Sequence, residues 1–373
     1  MGRQIIPASP RFRLRWLAAT NRGWPDWFEN PEWIPDGNRA VYLRVKTGLH
    51  EVLSRLDTSG TVLLPSYVPG GVAWAALTAD FDVRYYPVRA DMTLPIESVK
   101  KRIHDVDPEV VLFIHYFGFV DESYRALLET ARDIGATVVE DCARGLFSRD
   151  SNGELLGSTG DVALYCLHKT LPAPNGGLVV TRDVSLPKPA RTCSERQALL
   201  RAVGASVLGT LGVRVQRTPP VIDQPLSGEP NTVSPAHAPR EPGAVSRRAL
   251  NSCDPKTVQE TRLEHYRALR DRLVDVDGID VLTPPAPERA APYGVAVLMP
   301  SGVVRQHIYN ELYRRRLPSE VLTWPAVHRH DVVAGHDGAL ALRQRLIVLP
   351  THQQLPSTTV PRLADCIIEY LES

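Results

Sequence analysis

From Val41 onward, short apolar runs of strand length alternate with amphipathic stretches. TVLLP (61–65), DVRYYPV (82–88), VVLFIHYF (110–117), ATVVED (136–141), DVALYCL (161–167) and GGLVV (176–180) have the length and the β-branched or aromatic content of strands. Between several of them the spacing predicts helices; over 122–134, Leu127, Leu128, Ala131 and Ile134 share one face. Strands alternating with helices predict βαβ units, a mainly parallel sheet and helices on both of its faces. Two stretches break the rhythm. Residues 1–40 scatter Trp16, Trp24, Trp27 and Trp33 among prolines and charges, an irregular segment whose aromatics need a surface to cover. Residues 186–250 hold a helical patch near 195–211 and then TPPVIDQPLSGEPNTVSPAHAPREPG, a connector dense in Pro, Ser and Gly. Beyond it, 254–274 reads as a helix with Leu263, Tyr266, Leu269 and Leu273 on one stripe, followed by GIDVLTP, YGVAVLMP and RLIVLP as strands mixed with two more helices. The expected organisation is therefore an irregular N-terminal segment (1–40), a large α/β domain core (41–185), a Pro-rich extension of it (186–250) and a smaller α+β C-terminal domain (251–373). No internal repeat is visible.

Composition narrows the function classes. A chain of 373 residues can bury a large core without disulfides or a structural metal. Its 43 basic and 42 acidic side chains leave a formal charge of +1, so no bulk charge points to nucleic acid or an anionic membrane. The cysteines are scattered, with no CxxC pair, which fits neither a secreted disulfide framework nor a zinc ribbon. No run approaches the roughly 18 apolar residues of a membrane span, and the N-terminus lacks the apolar core of a secretion signal. A soluble cytoplasmic protein is expected, with neither a nucleic-acid nor a membrane partner. Nucleotide-binding GxGxxG and GxxxxGK[ST] turns, the GxSxG elbow and HExxH are all missing. His328, His330, Asp331 and His336 match no metal-ligand spacing, and no metal is expected. The basic side chains are nearly all arginine; the lysines are Lys46, Lys100, Lys101, Lys169, Lys188 and Lys256, so a lysine that does chemistry has few candidates.

Open α/β sheets bind ligands outside the carboxyl ends of their strands. At those ends stand Ser66 and Tyr67, His115, Glu140 and Asp141, and Cys166, His168 and Lys169. Each has an ordinary reading: Ser66 starts a turn, His115 is a satisfied core histidine, Asp141 caps a helix. An acid after one strand and a lysine after the next also have a joint use. A carboxylate can keep a pyridine nitrogen protonated, making the ring an electron sink, while a lysine amine condenses with the cofactor aldehyde. Asp141 and Lys169 suit those roles, and Thr47 and Gly48 open an amphipathic helix whose N-terminus can take a phosphate.

The segments LPSYVPGGVAWAAL, IHYFGFVDE, VVEDCARGL and LGSTGDVALYCLHKTLPAPNGGLVVT resemble, in order and near spacing, the large domain of the nucleotide-sugar aminotransferases of the DegT/StrS type, pyridoxal-phosphate enzymes of the aspartate-aminotransferase fold (fold type I). The resemblance covers residues 40–180 well and 255–373 faintly, through WPAVH and LIVLPTHQQL. It implies pyridoxal 5′-phosphate as cofactor, Lys169 as the lysine that bonds it and Asp141 as partner of the ring nitrogen. It places Arg144 where the family has Gln or His toward the phenolic oxygen, and Cys166 where a Ser meets the phosphate. Val45, Lys46 and Thr47 replace the usual small-Gly-Thr turn, with Lys46 as a substitute anchor; Tyr67 or Pro69 takes the ring-stacking place, and Ser66 and His115 line the same edge. It further implies small-molecule substrates, glutamate as amino donor and a keto sugar nucleotide as acceptor, and a homodimer. Dehydratase or other pyridoxal-phosphate chemistry, and a non-catalytic ligand-binding descendant, stay open as alternatives.

Overall fold

The apolar runs become the centre of one sheet. The computed structural model describes residues 7–13, 16, 23–56, 59–186, 188–196, 199–200, 203–204, 239–324 and 336–373. Strands β1 (Asn38–Tyr42), β2 (Thr61–Pro65), β3 (Asp82–Tyr86), β4 (Val110–Ile114), β5 (Thr137–Asp141), β6 (Val162–Cys166) and β7 (Gly177–Thr181) form a seven-stranded sheet in the order β1-β7-β6-β5-β4-β2-β3. Strands β2 to β6 run parallel, β7 antiparallel to β6, and β1 antiparallel to β7. Every residue of β6 and β7 is buried, as a sheet covered on both faces requires. Helices α1 (Val45–Leu53) and α2 (Gly70–Leu77) cover one face, where Val52, Ala73, Leu64 and Val179 share a cluster. On the other, α3 (Ile96–Val106) and α4 (Tyr124–Asp133) bring Val99, Ile103, Leu127 and Leu128 onto Val111 and Phe113. The chain runs from β2 outward to β3 and then returns past β2 to β4, so a topological switch lies between β2 and β4. Ligands of such sheets sit outside the strand ends at that point.

A short helix, α5 (Leu167–Thr170), follows β6 directly. The paired strands β8 (Arg191–Thr192) and β9 (Arg240–Glu241) join the two ends of the connector. Residues 205–238, most of the Pro-rich stretch, lie outside the described residues, as do His328, His330 and Asp331. Helices α6 (Ala244–Asn251) and α7 (Pro255–Arg270) lead into the smaller unit. There the antiparallel sheet of β10 (Asp280–Val281), β11 (Gly294–Leu298) and β12 (Leu346–Pro350) packs with α8 (Gly302–Arg314), α9 (Asp337–Arg345) and α10 (Thr359–Leu371). Helix α7 starts where Asp254 accepts a hydrogen bond from Thr257 N at 2.9 Å, with Pro255 in its first turn. It serves both units: Val258 packs with Phe147 and Tyr165, whereas Tyr266 and Leu269 join Val295, Ile347 and Leu363. The N-terminal aromatics find their surface on the loop after β5, with the rings of Trp27 and Trp33 at 5.0 and 5.8 Å from that of Phe147. No helix among the described residues is long and apolar enough to cross a membrane.

Close packing of α1 on the sheet dictates one glycine. A Cβ on Gly48 would lie 2.4 Å from Val179 Cγ2 and 2.9 Å from Tyr42 Cδ2, and neither a β-branched strand residue nor a buried ring can withdraw far. Gly48→Ala is therefore expected to lower stability by roughly 1–3 kcal/mol, read as a lower denaturant midpoint at unchanged slope.

Candidate functional site

The site is built where β4, β5 and β6 end. Glu140, 1% exposed, is the next-to-last residue of β5 and accepts hydrogen bonds from His115 Nε2 (2.7 Å), Gly157 N (3.2 Å), Thr159 N and Oγ1 (both 2.9 Å) and Gly160 N. Burial favours the neutral carboxyl, but these donors, His115 foremost, outweigh it and hold the Glu140 pKa down at about 2. The next residue, Asp141, turns the chain by accepting from Ala143 N at 2.9 Å. Asp141, Arg144, His115 and Lys169 then line a single narrow pocket with Pro69, Phe117, Ala143 and Trp324. Lys169 stands on α5, and its amine is pushed below the ordinary lysine pKa, first by burial and then by the Arg144 guanidinium. Such a lysine is more readily a neutral nucleophile.

Around this pocket the other sequence-derived candidates fall into two groups. Cys166 pairs with Gly177 across β6 and β7, and a Cβ on Gly177 would lie 2.2 Å from Val45 N, so α1 begins against the strand end that carries the lysine. In the first turn of α1 Thr47 N donates to Arg44 O at 3.1 Å, and Arg44 supplies no side-chain cap. Thr47 is buried, and Lys46 holds its ammonium 5.0 Å over the Trp74 ring. Gly48 meets Tyr42 and Val179 instead of opening toward the pocket, a packing role. Cys166 Sγ lies 3.3 Å from His168 Nδ1; burial raises its pKa, but His168 and Lys169 draw it down to about 7. The second group turns away. Ser66 Oγ accepts from Val88 N at 3.2 Å, and the Tyr67 hydroxyl donates to Leu322 O at 3.0 Å, so both brace the end of β2. Pro69, not Tyr67, reaches the pocket wall. The His115 ring, by contrast, lines the pocket, but its Nε2 is held by Glu140, which makes it a positioning residue. His115, Glu140 and Cys142 place potential ligand atoms within 4.8 Å of one another, but both Glu140 oxygens are already engaged.

Sequence reasoning missed the contribution of the smaller unit. Arg144 Nη2 donates to Glu320 Oε1 at 3.1 Å, and the Tyr293 hydroxyl donates to Glu320 Oε2 at 2.8 Å. The guanidinium carbon sits 4.8 Å from the Tyr293 ring centre and 5.0 Å from that of Trp324. Burial alone would lower the Arg144 pKa; the facing Glu320 reverses the direction and keeps it charged. WPAVH gave a signal for Trp324, but Glu320 and Tyr293 sit in segments without a distinguishing pattern. Arg262, 1% exposed, donates to Gln353 Oε1, Pro292 O and Thr170 O at 3.2, 3.2 and 3.0 Å, and so ties the end of α5 to the smaller unit.

Residues 47–217 match the DegT/DnrJ/EryC1/StrS aminotransferase family. PseC of Helicobacter pylori, an aminotransferase involved in the biosynthesis of pseudoaminic acid, aligns with a TM-score of 0.74 at 14% identity, covering 99% of this chain and 100% of that one. The aminotransferase TlmJ of Streptoalloteichus hindustanus aligns at 0.66 with 21% identity over 90% of this chain and 86% of that one. Spr1654 of Streptococcus pneumoniae, described as a sugar aminotransferase and solved in a PLP-form, gives 0.70 at 14% identity over 98% of each chain. The architecture is thus an aminotransferase fold. Among curated proteins, serine hydroxymethyltransferase of Methanothermobacter thermautotrophicus is 28% identical over 112 residues, 29% of this chain but 26% of that enzyme, so the chain spans about a quarter of that relative's length.

The engagement of Glu140 sets an acid limit. Its folded-state pKa of about 2 lies below the ordinary 4.5, so its contribution is complete above about 4.5 and is lost as the pH falls through about 2. Glu140→Gln is expected to cost roughly 3–5 kcal/mol at neutral pH, the usual cost of breaking a buried pair, and to flatten acid unfolding across that window, as followed by circular dichroism.

Proposed function

Taking residues 47–217 as a DegT/DnrJ/EryC1/StrS aminotransferase family domain, we propose that this protein is a pyridoxal-phosphate-dependent aminotransferase. It moves an amino group from an amino acid, with glutamate as the expected donor, to a keto sugar carried on a nucleotide. The observation that carries the reading is the convergence of the Lys169 amine and the Asp141 carboxylate in one pocket at the carboxyl edge of the sheet. The donor set suits the cofactor. Asp141 suits a protonated ring nitrogen, Lys169 an aldehyde carbon, and the N-terminal end of α1 with Lys46 a phosphate. Among the described residues the buried Arg144 Nε has no hydrogen-bond partner, and Arg144 lines the pocket.

When bound, pyridoxal phosphate supplies the electron sink for charge left on the substrate carbon. The chain's own residues do the rest. Lys169 Nζ, its pKa lowered by burial and then by Arg144, moves the proton away from and back to the reacting carbon. The Asp141 carboxylate would accept from a ring N–H. Trp324 and Pro69 give the pocket wall apolar surface. A homodimer and a cytoplasmic location belong to the same reading, and the free state of Cys142, Cys166, Cys193, Cys253 and Cys366 suits a reducing compartment.

A second reading draws on the curated relatives: the same lysine and acid suit the carbon–carbon chemistry of a serine hydroxymethyltransferase. The purified protein is expected to show a visible cofactor band that borohydride removes, that L-glutamate bleaches with release of the keto acid, and that L-serine does not convert to glycine. Lys169→Ala should lower the glutamate half-reaction by ~10³-fold or more. A colourless protein, or glycine formed from serine without bleaching by glutamate, overturns the aminotransferase reading.

A further inference from the structure

We propose that Arg144 and Glu320 form an exchangeable pair, in which Glu320 occupies the place of a substrate carboxylate and yields it when the amino donor binds. This rests on the aminotransferase reading and names the donor-recognition device of that site. Arg144 is 8% exposed and lines the pocket, with its guanidinium against the rings of Tyr293 and Trp324, which restrict its movement. A buried cation must be met by acceptors at every stage; Arg262 has three oxygens of neutral groups, whereas Arg144 is met by the Glu320 carboxylate. Glu320 meets it incompletely. The Nε and Nη2 edge of a guanidinium is a two-pronged donor matched to a carboxylate. Glu320 engages Nη2 at 3.1 Å, its second oxygen is held by the Tyr293 hydroxyl at 2.8 Å, and the buried Nε has no partner among the described residues.

The two members differ in freedom. The Glu320 side chain is 29% exposed against 8% for Arg144, so the carboxylate can turn to solvent while the guanidinium stays. An incoming carboxylate that takes both prongs gains the bond Glu320 leaves unmade. A two-stage transfer needs this, because the donor carries a carboxylate and a sugar carbonyl substrate carries none at that position. With the sugar bound, the return of Glu320 prevents an uncompensated charge from facing hydroxyl groups.

The test follows the half-reaction of the holoenzyme with L-glutamate and with L-alanine in single turnovers, reading saturation constant and limiting rate separately from the visible band. Glu320→Gln removes the competitor and is expected to lower the saturation constant about tenfold with a limiting rate within about twofold of wild type. Glu320→Asp, too short to span the pair, should shift it in the same direction and keeps the test alive if the glutamine variant folds poorly. Arg144→Gln should raise the constant about tenfold or more, and the double variant should match Arg144→Gln alone. A shift shared by both amino acids assigns the α-carboxylate to Arg144; one confined to glutamate assigns the side-chain carboxylate. An unchanged or raised constant in both Glu320 variants, or effects that simply add in the double variant, overturns the pair. Bleaching that fails in the wild-type enzyme refutes the aminotransferase reading instead.

Discussion

The carboxylate of Glu140 sits where three parts of the chain must meet, and its hydrogen bonds fix how they do so. It reaches the end of β4 through His115, and the loop into β6 through Gly157, Thr159 and Gly160. Because a buried carboxylate stripped of donors is costly, these segments cannot drift independently. Asp141, one residue further on, and Lys169, on the short helix that follows the adjoining strand, inherit their positions from this knot. The register of β5 on β6, with Asp141 opposite Leu164, carries the constraint across the sheet. His115 and Glu140 therefore act by holding the residues that face the pocket.

A second set of contacts fixes the smaller unit to that edge. Arg262 has carbonyl and amide oxygens as acceptors in place of a carboxylate, and burial draws its pKa down to about 10. Its bond to Thr170 O meets the carbonyl end of α5, where a positive charge is favoured, and Gln353 donates to the same oxygen at 3.1 Å. The N-terminal segment locks this corner. His352 donates from Nε2 to Pro7 O at 2.9 Å and accepts from Gln354 N at Nδ1, an arrangement that suits the neutral ring its burial imposes. The lysine helix is thus held from the sheet side by β6 and from the far side by residues distant in sequence. Arg144 depends on the same docking, since Tyr293, Glu320 and Trp324 all come from the smaller unit.

Much of the large domain was legible because its signals are local. Apolar runs such as VVLFI and VALYC specify buried strands wherever they occur, and the helical spacing of Leu127, Leu128 and Ala131 specifies a face. The candidates Asp141 and Lys169 followed from standing at strand ends, a position set by topology that the alternation already implied. Ser66 and Tyr67 stand at an equivalent strand end yet face away, because the chain after Pro65 turns its polar groups into bracing bonds with Val88 and Leu322. Position along a strand is readable, whereas the direction a side chain takes after the strand depends on partners from elsewhere. The same limit blurred the domain boundary, since α7 packs into both units and carries no break in its periodicity.

The sequence by itself determined the alternating α/β architecture, the smaller C-terminal unit, and the pairing of one acid with one lysine at adjacent strand ends, because periodicity and strand order act over short spans of chain. Only the tertiary structure decided that Arg144 would be buried against two aromatic rings and answered by Glu320, that His115 would serve Glu140, and that Gly48 would be a packing glycine. Those outcomes depend on contacts between residues far apart in the chain. Burial changes the cost of each charge there, and no local pattern encodes which distant group will meet it.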